Sequence, residues 1–578
     1  MRISFSQIIL ITILLVNHPI AKTIESYEIT NLKTLAAKGD AKSQNKLGLM
    51  CLEGEGVKQD SKKAVNWFQE AANQGYVSAQ SNLGWIYLEG KGVKQDIKKA
   101  TYWYQKAADQ GHADAQYFLG LMYEHGKGVK QGSIKAVHLF QKAADQGDAK
   151  AQYFLGRIYD KGEGVKQDSK KAVYWYQKAA DKGNVKAQFF LAVMYKEGEG
   201  VKQDSKKAVY WYQKAADQGD ADAYFNLALI YYNGGGVRPD NKKAAHWFQK
   251  GADQGDTEAQ FLLGLMYLKG EGVKQDNKKA VYLIQKAANQ RNVKAQFFLA
   301  VMYKEGEGVK QDSKKAVYWY QKAADQGYAN AHFDLGVMYH DGEGVKQDSK
   351  KAAHWFQKAA EQGYAEAQSL LGLMYREGKG VKQDNEKAVY WYQKAADRGL
   401  SEAQYNLGLM YKNGKGVKQD SKKAAHWFKK TADQGGAEGQ RILASMYFNG
   451  EGVKQDIKNA VYWYQKAADQ GYAEAQSLLG LMYQKGEGAK QDSKKAVYWY
   501  QKAAIQELSD AQYNLGLMYF FGDGVKQSYR KAVHWFQKAA DQGDVKAQNN
   551  LGWMYSNGKG VKKDLTIGDY WIQKSKKL

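Results

Sequence analysis

One motif sets the register of this chain. The loop Gly-Val-Lys-Gln-Asp begins at Gly56 and returns every 36 residues, at Gly92, Gly128, Gly164 and onward to Gly560. Fifteen copies occur without insertion or deletion, and only a few vary at Val, Gln or Asp. A strict period of this length is the mark of a solenoid, in which one helical or strand unit stacks on its own copies. Each unit buries its apolar face against its neighbours, so the array grows as one extended surface. Function is therefore expected in binding along that surface.

The repeat reads as two helices. In the copy at 401–436, Ala403, Leu407 and Tyr411 fall four residues apart and share one face of a first helix. Gly408 has only Gly or Ala at its equivalents, the alanines being Ala192, Ala228, Ala300 and Ala444. Glycine inside a helix costs roughly 0.5–1 kcal/mol relative to alanine. Its recurrence predicts a backbone contact too close for a larger side chain. Gly414 and Gly416 stop the helix as left-handed positions, and Val417 plugs the loop into the core. Asp420 caps a second helix, whose stripe Ala424, Trp427, Phe428, Thr431 and Ala432 follows i, i+3, i+4, i+7, i+8 spacing. Trp occupies the Trp427 position in thirteen of fifteen copies, so the row is read as core.

These residues, Ala-x-x-x-Leu-Gly-x-x-Tyr-x-x-Gly-x-Gly-Val-x-x-Asp-x-x-Lys-Ala-x-x-Trp-Tyr/Phe, resemble the Sel1-like repeat, a relative of the tetratricopeptide repeat. The resemblance covers about Ala41 to Leu578. It implies an all-α fold: a right-handed α-solenoid of about fifteen antiparallel helix pairs that serves as a scaffold for other proteins. Bacterial members of the family are often exported, and some are linked to host interaction.

The ends differ from the array. Met1–Ala21 has Arg2, the apolar run Ile8–Val16 and a small residue at Ala21, the shape of a signal peptide. An uncleaved anchor is the alternative, although the run is short for a bilayer span. Residues 22–40 are expected to form an N-terminal capping helix, and 41–578 the fifteen repeats, the last degraded to Ser575-Lys576-Lys577-Leu578. Export would permit disulfides, yet Cys51 is the single cysteine. It stands where every other copy has tyrosine and reads as a buried substitution. Arg291 and Glu507 replace the glycine between repeats, which predicts a local change of superhelical curvature. Asn184–Gly219 recurs unchanged as Asn292–Gly327, a recent internal duplication.

If the first helices line the inner curve, one register position faces a partner. It carries Tyr117, Tyr153, Phe189, Phe225, Phe261, Phe297 and Phe333, then Tyr405 and Tyr513. The next position adds Phe118, Phe154, Phe190 and Phe298. Such rows make grooves for an extended or helical peptide, or they fill the seam between neighbouring helices.

The charge lies elsewhere. Net charge is +24, with a basic residue at the loop position of Lys58 in all copies and lysine at the Lys106 position in fourteen. On the second helix, the Lys99 and Lys106 positions fall opposite the Ala-Trp-Ala stripe. They form either a solvated outer face or a surface for an anionic envelope polymer. Nucleic acid ranks last, since no nucleic-acid motif is present and export removes the ligand.

Chemistry is sparse. His138, His246, His354, His426 and His534 share one exposed position but stand 72 or 108 residues apart, too far for a local metal site. No phosphate loop, Gly-x-Ser-x-Gly or His-Glu-x-x-His occurs, so no catalytic residue, metal or cofactor is assigned. A β-lactamase-like or peptidoglycan-related activity, linked to a cysteine-bridged branch of the family, lacks those cysteines here. The expectation is an exported, non-enzymatic adaptor, with an envelope structural role as the alternative.

Overall fold

The computed structural model describes residues 19–576. Among these, thirty-one helices and no strand occur. They form two compact units, one ending at Gln290 and the other beginning at Arg291. Each unit is an α-solenoid of helix pairs. The expected signal peptide, Met1–Ala21, lies outside the described residues except for its last three, which open a helix spanning Pro19–Ala37. The capping helix is thus longer than the 13-residue helices of the repeats.

The specimen repeat shows why the sequence folds this way. Its first helix is Ser401–Asn413 and its second Ser421–Asp433. Gly414 ends the first at φ 65°, its N–H donating to the Met410 carbonyl. Asp420 opens the second by accepting from the Lys423 N–H at 3.0 Å. All five stripe residues, Ala424, Trp427, Phe428, Thr431 and Ala432, are buried. Val417 packs half-buried against the core, as expected of the loop.

The two adjacent rings of the stripe point to different neighbours. Trp427 enters the cluster made by the second helix of the preceding repeat (Ala388, Tyr392, Ala395) and its own first helix (Ala403, Leu407). Phe428 joins the next cluster, with Leu443 and Met446 of the following repeat. A core cell is therefore offset from the sequence repeat by half its length. Gly408 is explained by the same ring: an added Cβ would lie 2.9 Å from Phe428 Cε1. The close contact is to a side chain, where the recurrence of glycine had predicted backbone.

A buried glutamine clamp holds three helices in register. Gln440, 4% exposed, donates to the Ala432 carbonyl of the preceding repeat at 3.2 Å. Its own carbonyl accepts from Gln470 Nε2 at 2.9 Å. Each such bond contributes roughly 1 kcal/mol net, and a lost partner costs more because the remaining group is buried. His332 takes this place in one repeat. Its Nε2 lies 2.9 Å from the Ala324 carbonyl oxygen and its ring stacks on Trp355 at 5.6 Å. Burial pushes its pKa down.

Cys51 is a free, buried thiol, and burial pushes its pKa up. Arg291 and Glu507 keep the left-handed backbone of the glycines they replace, at φ 68° and 66°. At Glu507 the turn also keeps its bonds, Glu507 N–H to the Ala504 carbonyl at 3.1 Å and Leu508 N–H to the Ala503 carbonyl at 3.4 Å. At Glu507 the turn thus keeps the local geometry of a glycine turn with a Cβ in place.

Candidate partner-binding face

The first helices present one face to the core and one outward. In Ala149–Lys161, Ala151, Leu155 and Ile158 are buried, while Tyr153, Phe154, Arg157 and Asp160 are half-buried on the other side. The nine aromatic residues singled out from the sequence sit along the border between these faces. Tyr117 and Phe261 are buried, at 8% and 4% exposure. Tyr153, Phe189, Phe225, Phe297, Phe333, Tyr405 and Tyr513 are half-buried.

Eight of these rings lie on the second-helix ring of their own repeat. Tyr117 meets Phe140 at 6.0 Å, Tyr153 meets Tyr176 at 6.1 Å, and Phe189 meets Tyr212 at 5.6 Å. Phe225–Phe248, Phe297–Tyr320 and Phe333–Phe356 follow at 5.9, 5.6 and 5.8 Å. Tyr405–Phe428 and Tyr513–Phe536 close the set at 5.9 and 5.8 Å. Burial pushes Tyr117 and Tyr405 up to about 12 and raises Tyr153 and Tyr513. The next position reaches backward: Phe118 stacks on Tyr104, Phe154 on Phe140 and Phe190 on Tyr176, at 5.3, 5.4 and 5.7 Å. Consecutive aromatics thus staple one repeat to the last.

What lies outermost on this face is a position the sequence reading passed over. It holds Leu121, Val193, Leu229, Val337, Leu373 and Leu409 among others, all half-buried. Arg157 interrupts the row, paired with Glu124 of the preceding repeat and lying 4.7 Å over the Phe154 ring. Between two repeats of the second unit the row opens into an apolar cleft of about 170 Å³. Val337, Leu370, Leu373 and Phe356 line it, with His340, Glu377 and Lys379 at the rim. Glu377 is held below the usual carboxylate range, first by Lys379 at 2.8 Å and then by Arg376 at 3.2 Å. Asp334, at a position that is Phe, Leu or Ile in eight other copies and Asn in five, is pushed up to about 6 by burial, against the pull of Lys304.

A second aromatic patch lies at the far end of the same face. Phe521 is 68% and Trp553 45% exposed, and Phe520 packs edge-on to both at 5.0 and 5.7 Å. The row of the sequence reading thins out in this stretch, so the patch was missed. Two adjacent phenylalanines outside the periodic position were its signal.

Among the described residues, no group of three or more His, Cys, Asp or Glu side chains could hold a metal ion. No described helix is long and apolar enough to cross a membrane. The face offers apolar area bordered by mixed charge, which is the chemistry of partner binding.

A search of curated proteins found no match. Among solved structures, the chain is similar to c5321, described as a protective antigen present in uropathogenic Escherichia coli strains and displaying an SLR fold. Identity is 32%, the match covers 90% of this chain and 97% of that one, and the TM-score is 0.51. A Sel1 repeat protein from Oxalobacter formigenes is 35% identical over 57% of this chain and 93% of its own, with a TM-score of 0.45. The Sel1 repeat model matches fifteen times in tandem, over residues 41–507 and 509–578. The chain belongs to the Sel1 repeat family.

Proposed function

We propose that this protein is an exported adaptor that binds a partner protein or peptide along its first-helix face. Repeats of this family build protein-interaction scaffolds, which supports the coarse reading. The observation that carries the finer one is the apolar cleft at Val337, Leu370 and Leu373. Its volume of about 170 Å³ suits one large side chain of a ligand, and charged groups at its rim can orient the ligand's backbone. Export rests on the charged start and apolar run of Met1–Ala21, and leads to the periplasm or beyond. Similarity to a protective antigen supports a role at the host boundary.

The test is retention of proteins from envelope and host extracts by the immobilised chain, compared with Leu373→Lys. A partner held at 1 M salt by the parent and lost by the variant supports the reading. A partner that leaves at high salt and ignores the substitution would refute it, because exposed charges are screened within about 3 Å at 1 M. Export is read separately, from the fraction and N-terminal mass of the native product.

A further inference from the structure

The opposite surface carries a second feature, independent of the first-helix face. Nine tyrosines stand at one position of the second helices, and all are half exposed, between 51% and 64%. Set at one register position, they form a recurrent exposed aromatic row. Their orientation is fixed. Tyr102 packs edge-on to Trp103 at 5.0 Å and 78°, and Tyr174, Tyr210, Tyr462 and Tyr498 repeat this against their own tryptophans at 4.8–5.0 Å. Because the tryptophan is anchored in the core, each of these rings is a pre-set platform; Tyr282, followed by Leu283, lacks that partner.

Beside eight of the nine rings a lysine is held. The lysine four residues on lies 5.5 Å from the Tyr102 ring centre, 4.7 Å from Tyr174, 5.8 Å from Tyr210 and Tyr462, and 5.7 Å from Tyr498. The nearby acids are engaged locally: Asp109, Asp181 and Asp469 each accept a hydrogen bond from a glutamine one turn earlier. These carboxylates keep their charge, but lysines outnumber them on the second helices, as Lys170, Lys171 and Lys178 against Asp181, within a chain of net charge +24. Around Tyr102 the face also has relief. An open groove of about 630 Å³ is lined by Lys98, Tyr102, Gln105 and Lys106 and walled by Gly128 and Val129 of the next loop.

We propose that this face binds a linear acidic polysaccharide. A uronate unit offers what each such pair offers in complement: an apolar C–H face that lies on an aromatic ring, and a carboxylate that pairs with an ammonium group. Charge alone would account for the lysines but not for the exposed, oriented rings. The pair recurs in nine of the fifteen copies, with histidine holding the ring position in five others and Asn66 in the first; a polymer of one sugar matches such a recurrence, whereas a single protein surface does not call for it. Several weak contacts along one strand then add as effective concentration.

The test uses the full chain and immobilised polygalacturonate, with heparin as a sulfated probe. Poly-glutamate serves as an anion without sugar rings and methyl-esterified polygalacturonate as a sugar without charge. The chain should bind an acidic polysaccharide at least about tenfold tighter than poly-glutamate, and the ester weakly. Alanine at all nine tyrosine positions should weaken that binding about tenfold, whereas phenylalanine should keep it within about threefold. Lys106, Lys178, Lys214, Lys466 and Lys502 changed to Gln should weaken binding and flatten its salt dependence. Equal affinity for poly-glutamate, or no binding to either polysaccharide at low salt, would overturn the proposal. If the alanine variant loses its helical signal, the phenylalanine variant and the polymer comparison still decide.

Discussion

Glu507 offers a direct measure of the strain this array tolerates. Its backbone lies at φ 66°, a left-handed conformation, and its side chain is exposed. A residue with a Cβ pays roughly 1–2 kcal/mol for that conformation. Glycine avoids the clash but surrenders roughly 0.5–1 kcal/mol of unfolded-chain entropy. The balance predicts that Glu507→Gly stabilises the local structure by about 0.5–1 kcal/mol. In a long repeat array global unfolding is not two-state, so a single melting temperature is the wrong readout. Hydrogen exchange of the amides in Ser493–Ile505 and Ser509–Phe521 reports the local opening instead. Protection there should rise about two- to fivefold and stay unchanged in distant repeats. Glu507→Ala is the control, because it removes the carboxylate while keeping the Cβ. If alanine raised protection as much as glycine, the effect would belong to the charge and the strain argument would fail. Lower protection in the glycine variant would refute it outright. Arg291, at φ 68° and also exposed, should respond in the same direction.

Other outcomes follow from burial. Trp427→Ala should cost about 3–5 kcal/mol, and Phe261→Ala, at 4% exposure, a similar amount; local hydrogen exchange in the two repeats would show it. Gly408→Ala should be near neutral in local hydrogen exchange, since helix propensity offsets a small shift of the Phe428 ring and four repeats already carry alanine there, whereas Gly408→Val should destabilise by more than about 2 kcal/mol. Asp334 binds its proton more tightly when folded, with a pKa raised from 3.8 to about 6. The folded state therefore holds more protons between those values, and stability falls as pH rises from about 4 to 6. Asp334→Asn should abolish that slope and stabilise the protein at pH 7 by about 1–3 kcal/mol, the upper limit being the full shift of about two units.

The fold was legible because two signals of different period agreed. The 36-residue recurrence sets the frame, and the Ala424-Trp427-Phe428 spacing sets the buried face. Cap residues such as Asp420 and Gly414 then mark the ends. The candidate site was harder, for a physical reason. Periodicity gives the angle of a side chain around its own helix but not which neighbouring helix covers it. Tyr153 and Phe154 illustrate this: adjacent in sequence, one leans on its own repeat and the other on the preceding one. Gln440 shows the same limit from the polar side. A recurrent polar residue reads as surface until the partners that satisfy it, Ala432 and Gln470, are seen in other helices. The outer tyrosines were passed over because the neighbouring lysines dominate the count of charge.

The half-repeat offset of the core cells has an evolutionary consequence. Each cell is closed by the second helix of one copy, the first helix of the next and that copy's tryptophan. Neither end of the sequence repeat is a privileged boundary. Unequal exchange between two gene copies can therefore cross over at any matched point and still restore a complete cell. The product gains or loses 36 residues, or a multiple, without passing through a broken intermediate. The unchanged segment shared by Asn184–Gly219 and Asn292–Gly327 is what such an exchange leaves behind. Length then becomes a heritable variable that selection can adjust in steps, while every step keeps the first-helix aromatic row and the outer second-helix position in phase.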